Sequence, residues 1–162
     1  NQLKELKITA DKIIDTSRYT VHDLKSVINN IAQQNRSVAP MRINILSFGF
    51  KYGTPHDACL IMDVRFLANP YFIPELKALN GKSADIKNYV LNNDEARRFL
   101  KKYLDLLDYL IPLYEKEGKS YLTIAVGCTG GRHRSVTIAE ALFEHIKKPG
   151  RQIMVTHRDI DL

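Results

Sequence analysis

The sequence predicts an α/β domain: a layered, mostly parallel sheet flanked by helices, with a phosphate-type loop between a strand and a helix. Three observations predict it. Apolar runs of strand length alternate with amphipathic stretches of helical period along residues 41–155. The glycine-bearing segment Gly127 to Ser135 joins one such run directly to a helical stretch. The composition, 162 residues with 44% hydrophobic and 26% charged, is enough to bury one core of ordinary size.

Residues 1–40 read as a separate helical segment. Leu3, Leu6, Ile13 and Ile14 give an irregular apolar pattern. Thr20 then stands as an N-cap with Asp23 in the first turn, and Val21, Leu24, Val27, Ile28 and Ile31 recur at helical spacing. The polar stretch Gln33 to Ser37, closed by Pro40, reads as a linker over 33–40. The second segment, 41–162, carries the alternation. Met41 to Phe48 and Ala58 to Val64 are buried strands, with Gly49, Gly53 and Pro55 marking the loop between them. Residues 68–93, rich in Pro, Asn and Gly, show no clear period. Asp94 to Glu117 is the strongest helix, with an apolar stripe from Phe99 through Tyr103, Leu107 and Ile111 to Tyr114. Asp94 and Glu95 suit its N-terminal dipole, and Pro112 should kink the last turns or end them early. Ser120 to Val126 is a third strand, Ser135 to Lys147 a helix and Gln152 to Val155 a fourth strand.

Composition excludes several classes. The longest apolar runs are far too short to span a bilayer. No charged-then-apolar leader opens the sequence, so no signal peptide is expected. Two distant cysteines, Cys59 and Cys128, both in apolar surroundings, exclude a disulfide scaffold and fit a reducing cytoplasm. The net charge of +6 and sequence pI near 9.3 suit nucleic acid or phosphorylated small molecules, and equally suit simple solubility.

The most informative segment is Gly127-Cys128-Thr129-Gly130-Gly131-Arg132-His133-Arg134-Ser135. In open α/β sheets, ligands bind at the carboxyl ends of strands. Gly130 and Gly131 let backbone N–H groups turn toward one point, and the helix N-terminus adds partial positive charge. Arg134 adds a bidentate fork, and Thr129 and Ser135 add hydroxyl donors. Together these predict a cradle for an oxyanion, most naturally a phosphate; the alternative is a glycine turn before a solvated basic helix. There is neither a Walker A pattern nor a dinucleotide fingerprint.

The same stretch fits Cys-x5-Arg-Ser, which resembles the loop of cysteine-dependent phosphatases, where a thiolate attacks phosphorus. Gly127 stands where many such enzymes place a histidine, and Asp63, Asp94 and Asp159 are general-acid candidates by type alone. At the ends of two other predicted strands, Lys51 and Arg65 add positive charge to the crevice, and Asp63 offers an acceptor for a hydroxyl or amine. Asp63 and Arg65 read equally as a structural pair. His56 and Asp57 read as a surface loop rather than a metal site, and no metal is expected. His157-Arg158-Asp159 either closes over the site or forms a solvated tail.

Taken in order, Ser47-Phe48-Gly49-Phe50-Lys51-Tyr52-Gly53, Asp63-Val64-Arg65-Phe66-Leu67, Asn69-Pro70-Tyr71, the Gly127–Val136 loop and His157-Arg158-Asp159 resemble the C-terminal domain of RapZ-like proteins. Ile14-Asp15-Thr16-Ser17 and Tyr19 to Leu24 are similar to the end of that family's N-terminal nucleotide-binding domain. That domain's Walker A loop is absent, so the chain is expected to be a fragment. ATP or GTP would belong to the missing domain, with no cofactor in the fragment. The resemblance implies a phosphosugar-sensing, RNA-binding adaptor domain. Enterobacterial members bind glucosamine-6-phosphate and present small regulatory RNAs to an endoribonuclease. Carried over by motif, Cys128, Thr129, Gly130, Gly131, His133, Arg134 and Ser135 would form the ligand site, with Asp63, Arg65 and Tyr71 nearby. The implied partners are a phosphorylated small molecule, small RNA, a ribonuclease or kinase, and further copies of the chain, all without a membrane. Tyr71 replaces a pocket histidine of the enterobacterial members, Asn92 stands where an arginine is expected, and Asp159 to Leu162 replaces a basic tail. The expected function is a regulatory ligand-sensing domain, with no reaction expected of the fragment itself. The rivals are a cysteine phosphatase using Cys128 and Arg134 and a pure oligomerisation module.

Overall fold

In the computed structural model, which describes residues 7–10, 12–35 and 40–162, the chain divides into two units, Asn1–Ala39 and Pro40–Leu162. In the first, helix α1 spans Val21–Asn35. It starts as the sequence predicts. The Asp23 amide donates to Thr20 Oγ1 at 3.2 Å, and the Thr20 amide donates to Asp23 Oδ2 at 3.1 Å. This reciprocal box satisfies donors that a helix start leaves open. Gln33 and Gln34, expected in a linker, instead extend the helix, consistent with their good helix propensity. The remainder of that expected linker, 36–39, lies outside the described residues, as do Leu3 and Leu6.

In the second unit, four runs pair into one sheet: β1 (Arg42–Gly49), β2 (Leu60–Asp63), β3 (Tyr121–Cys128) and β4 (Gln152–His157). The order is β2-β3-β1-β4, and every pairing is parallel. The sheet is thus wholly rather than mostly parallel. The register puts Gly49 opposite Cys128, Asp63 opposite Gly127 and Ser47 opposite His157. Four strand ends therefore meet along one edge.

Helices α2 (Pro74–Lys77), α3 (Ala84–Leu91), α4 (Asp94–Lys116) and α5 (Arg134–Ile146) complete the unit. The main core joins Ile43 and Ile45 of β1 and Ile124 and Val126 of β3 to Ile138 and Leu142 of α5, with Leu107 and Ile111 of α4. Each such side chain contributes about 1.5–3 kcal/mol on burial. On the opposite sheet face, Leu46, Phe48 and Ala125 are covered by Phe50 and Ala58 from the β1–β2 crossover. Residues 68–93, without period in the sequence, hold a 3-10 turn at Pro70–Phe72 and the short helices α2 and α3. Pro70 and Pro74 each open one of these turns, where a missing N–H costs nothing.

One expectation is narrowed and another corrected. Pro112 does not end its helix early, since α4 runs on to Lys116. Proline sits there on an exposed position, while Ile111 is buried and Tyr114 packs against the core, holding the last turn. Cys59 is exposed rather than set in apolar surroundings, because the turn before β2 leaves it on the surface. Among the described residues, no helix is long and apolar enough to cross a membrane.

Candidate functional site

β3 carries Cys128 to the sheet edge, and residues 129–133 turn the chain into α5. The turn needs glycine for two reasons. Gly131 adopts φ 80°, and a Cβ there would lie 2.7 Å from the Gly49 nitrogen and 2.8 Å from Asp159 Cβ. A Cβ on Gly49 would meet the Gly130 carbonyl carbon at 2.6 Å. The end of β1 is thus the floor on which the loop rests.

Within the loop, the Gly131 amide donates to Cys128 Sγ at 3.3 Å, and Ser135 Oγ lies 3.1 Å from the same sulfur. The thiol is 3% exposed. Helix α5 begins without a side-chain cap: His133 occupies the N-cap position but makes no capping hydrogen bond. Its first-turn amides thus get no help from the usual Ser, Thr, Asp or Asn.

Arg134 is 5% exposed. Its Nη1 donates to the carbonyls of Arg65 at 2.6 Å and Leu67 at 3.2 Å, and its Nη2 donates to Thr129 Oγ1 at 3.2 Å. All three acceptors are neutral. Its Nε is buried with no partner among the described residues. The Asp63 carboxylate feels the Arg134 charge, but the hydrogen bonds of Arg134 all go to neutral groups, which leaves this guanidinium suited to receive an anion.

The other basic residues of the loop are engaged elsewhere. Arg132 donates to the carbonyls of Ala78 at 2.9 Å, Leu79 at 3.3 Å and Ile160 at 3.4 Å. His133 Nε2 lies 2.8 Å from the Leu79 carbonyl and donates to it. Burial lowers the His133 pKa against the opposing pull of carbonyls at Leu79 and Lys77. With the Gly81 amide on the Arg132 carbonyl and Thr137 Oγ1 on the Gly81 carbonyl, these bonds fasten segment 78–81 to the start of α5.

Asp63 and Arg65 form the second cluster. The Arg65 guanidinium donates to both Asp63 oxygens at 2.6–3.0 Å, and both side chains are about half exposed. The hydrogen bonds from Arg65 hold the Asp63 carboxyl below its usual range against partial desolvation. Arg65 also lies 4.3 Å over the Phe50 ring, and its carbonyl receives Arg134. The pair therefore touches the loop through the Arg65 backbone. Lys51 enters through its amide, which donates to the Thr129 carbonyl at 3.1 Å, while its ammonium lies over Tyr52. Tyr71 is half exposed and packs with Lys77, 4.5 Å over its ring, and with Phe72. Cys128, Thr129, Gly131, Arg134 and Ser135 are thus brought together, Gly130 faces open space, and the side chains of His133 and Tyr71 are directed to other partners. His56 and Asp57 lie exposed in a turn, and among the described residues no three metal-ligating side chains converge.

Sequence reasoning missed how tightly the end of β4 grips the site. His157 Nδ1 lies 2.8 Å from Ser47 Oγ, and its Nε2 lies 2.9 Å from Glu140 Oε1 on α5. Asp159 is buried; its Oδ2 accepts the Gly49 amide at 2.7 Å, and its carboxylate takes both arms of Arg158. Burial raises the Asp159 carboxyl, but Arg158 and the Gly49 amide bring it below its ordinary value. The signal was a Gly after a strand in one segment and a His-Arg-Asp run in another, with nothing in the sequence to join them.

The profile of the RapZ C-terminal domain family matches residues 41–161. The chain is 62% identical over 151 residues to a nucleotide-binding protein of Desulforapulum autotrophicum, covering 93% of this chain and 52% of that protein. It is 52% identical over 159 residues to one of Desulfosudis oleivorans, covering 98% and 54%. It is 52% identical over 160 residues to one of Caldicellulosiruptor saccharolyticus, covering 99% and 55%. The chain thus spans about half the length of the relatives it matches.

Proposed function

We propose, for a chain that belongs to the RapZ C-terminal domain family, that the loop after β3 binds the phosphate of a phosphorylated small metabolite. The observation that carries this reading is Arg134: a buried guanidinium with neutral acceptors and an unpartnered Nε, at the uncapped N-terminus of a helix. An anion here would meet a fixed positive charge and first-turn amides without a side-chain cap together. Asp63 and Arg65 on the rim supply polar groups for the rest of the molecule, which the family resemblance makes a phosphosugar similar to glucosamine-6-phosphate.

On this reading, residues 41–162 form a ligand-sensing regulatory domain. Residues 1–40 are the end of a nucleotide-binding domain whose remainder would handle ATP or GTP. Small RNA, a ribonuclease or kinase, and further copies of the chain are its proposed partners, in the cytoplasm. The test is calorimetry with inorganic phosphate, glucosamine-6-phosphate and glucosamine. Both phosphate compounds are expected to bind and glucosamine to fail. Arg134→Ala should lose roughly 1.5–3 kcal/mol of that binding, and Lys should not restore it, because the fork is gone. Equal affinities for all three forms remove Arg134 from the site.

One observation favours a second reading, a cysteine-dependent phosphatase: Cys128 Sγ lies at the base of the loop with the Gly131 amide and Ser135 hydroxyl on it. Its near-complete burial and the engagement of Arg134 Nη1 by two carbonyls weigh against in-line attack. Phosphate binding without reaction is therefore the first reading.

A further inference from the structure

We infer that Asp159 is a positioning residue for the anion loop, acting through the Gly49 backbone. The inference rests on the anion reading only for the purpose of the positioning; the contacts themselves are independent of it. Asp159 is 3% exposed and lies beyond the last strand, yet its Oδ2 receives the Gly49 amide at 2.7 Å. Gly49 is the last residue of β1 and has no room to move toward the loop. The spacing that forbids a Cβ at Gly49 and Gly131 means that Gly130 and Gly131 lie directly on it. Asp159 itself borders Gly131, 2.8 Å from where a Cβ would stand.

The carboxylate is itself fixed. Arg158 donates through Nε to Oδ1 at 2.9 Å and through Nη2 to Oδ2 at 2.8 Å. The same Nη2 reaches the carbonyls of Gly49 at 3.3 Å and Gly53 at 2.8 Å, so one guanidinium spans both sides of the β1 end. Gly49 is thereby held at its N–H by Asp159 and at its C=O by Arg158. Bonds to charged groups are among the stronger ones a backbone can make. A loop that must present its amides and Arg134 within a fraction of an ångström benefits from a floor held this way. Both Asp159 oxygens are taken up by Arg158 and the Gly49 amide, so its role is positioning.

The test is Asp159→Asn, near-isosteric. An asparagine oxygen in the Oδ2 place can still accept from Gly49 and from Arg158 Nη2, but its NH2 then faces Arg158 Nε donor to donor and the negative charge is gone, so the fork that fixes the group is broken and the bond to Gly49 weakened. Amide resonances of Gly49, Gly130 and Gly131 are recorded without any anion, and phosphate affinity is measured by titration. The expected result is displacement of all three resonances in a folded protein and a fall in phosphate affinity of about tenfold. Glu140→Gln, which loosens the His157 end of the same segment without touching Gly49, should leave Gly130 and Gly131 in place. Should Asp159→Asn not fold, Arg158→Lys, which gives the carboxylate one donor in place of two, should move the same signals by less. Gly130 and Gly131 resonances unchanged in the folded variant, or displaced equally by Glu140→Gln, overturn the inference. Displaced resonances in a protein whose wild type binds no phosphate uphold the positioning and refute the anion site instead.

Discussion

Replacing Gly131 by alanine should be costly, and the cost can be worked from two separate terms. Its φ of 80° lies in the left-handed region, where a Cβ costs about 1–2 kcal/mol. The new Cβ would also stand 2.7 Å from the Gly49 nitrogen, a backbone atom pinned by Asp159, and 2.8 Å from Asp159 Cβ. Neither is the free end of a flexible side chain, so relief requires moving β1 or the segment after β4. Overpacking of this kind adds about 1–3 kcal/mol. The sum, about 2–5 kcal/mol, should lower the unfolding midpoint by on the order of 10 °C. Gly130 is the internal control. Among the described residues none lies within 4 Å of its would-be Cβ, and its φ is not positive. Gly130→Ala should leave stability within about 1 kcal/mol, on the favourable side if anything. Thermal and urea unfolding of the two variants beside wild type make the measurement. Equal midpoints for Gly130→Ala and Gly131→Ala would refute the close packing of the loop on Gly49.

Three further outcomes are expected. Cys128→Ser should leave phosphate binding in place and reveal no lost phosphomonoester turnover; turnover that disappears with this substitution would restore the phosphatase reading. Burial holds the folded His133 pKa below the ordinary imidazole value, so the unfolded chain takes up the proton first and stability falls as pH drops below about 6.5. His133→Gln should flatten the unfolding midpoint between pH 7 and 5, and an unchanged slope would show that another group sets it. Hairpin RNA should bind the domain weakly and lose affinity steeply with salt, as expected of a chain of net +6 without tryptophan. Tight binding that ignores salt in a filter or fluorescence assay would contradict this.

Most of the scaffold was legible in the sequence because each strand is a dense apolar run and each long helix has a strict stripe. Ile43 and Ile45, or Leu107 and Ile111, announce their burial by spacing alone. The loop was legible because its glycines, Arg134 and Ser135 are contiguous. What was not legible depends on distance in space. Asp159 and Gly49 are 110 positions apart, and only the parallel pairing of β4 with β1 brings them together. Likewise, the bond between His133 Nε2 and the Leu79 carbonyl joins positions 54 apart, and segment 78–81 has no period to foretell it. Gln33 and Gln34 failed in the opposite direction: polar residues read as linker where propensity carries a helix onward.

The central place of β1, between β3 and β4, has a consequence for synthesis of the protein. β1 is made first but finds its two neighbours only after residues 121–128 and 152–157 have been added. Pairings at that separation must first overcome the entropy of closing a long stretch of chain. A nascent chain halted before β4 has the complete loop from Cys128 to Ser135 and lacks the carboxylate that fixes its floor. The loop should therefore gain its fixed floor late during translation, once His157 to Asp159 have joined the sheet. Until then β1 has an unpaired edge exposed to whatever strand the cell offers it.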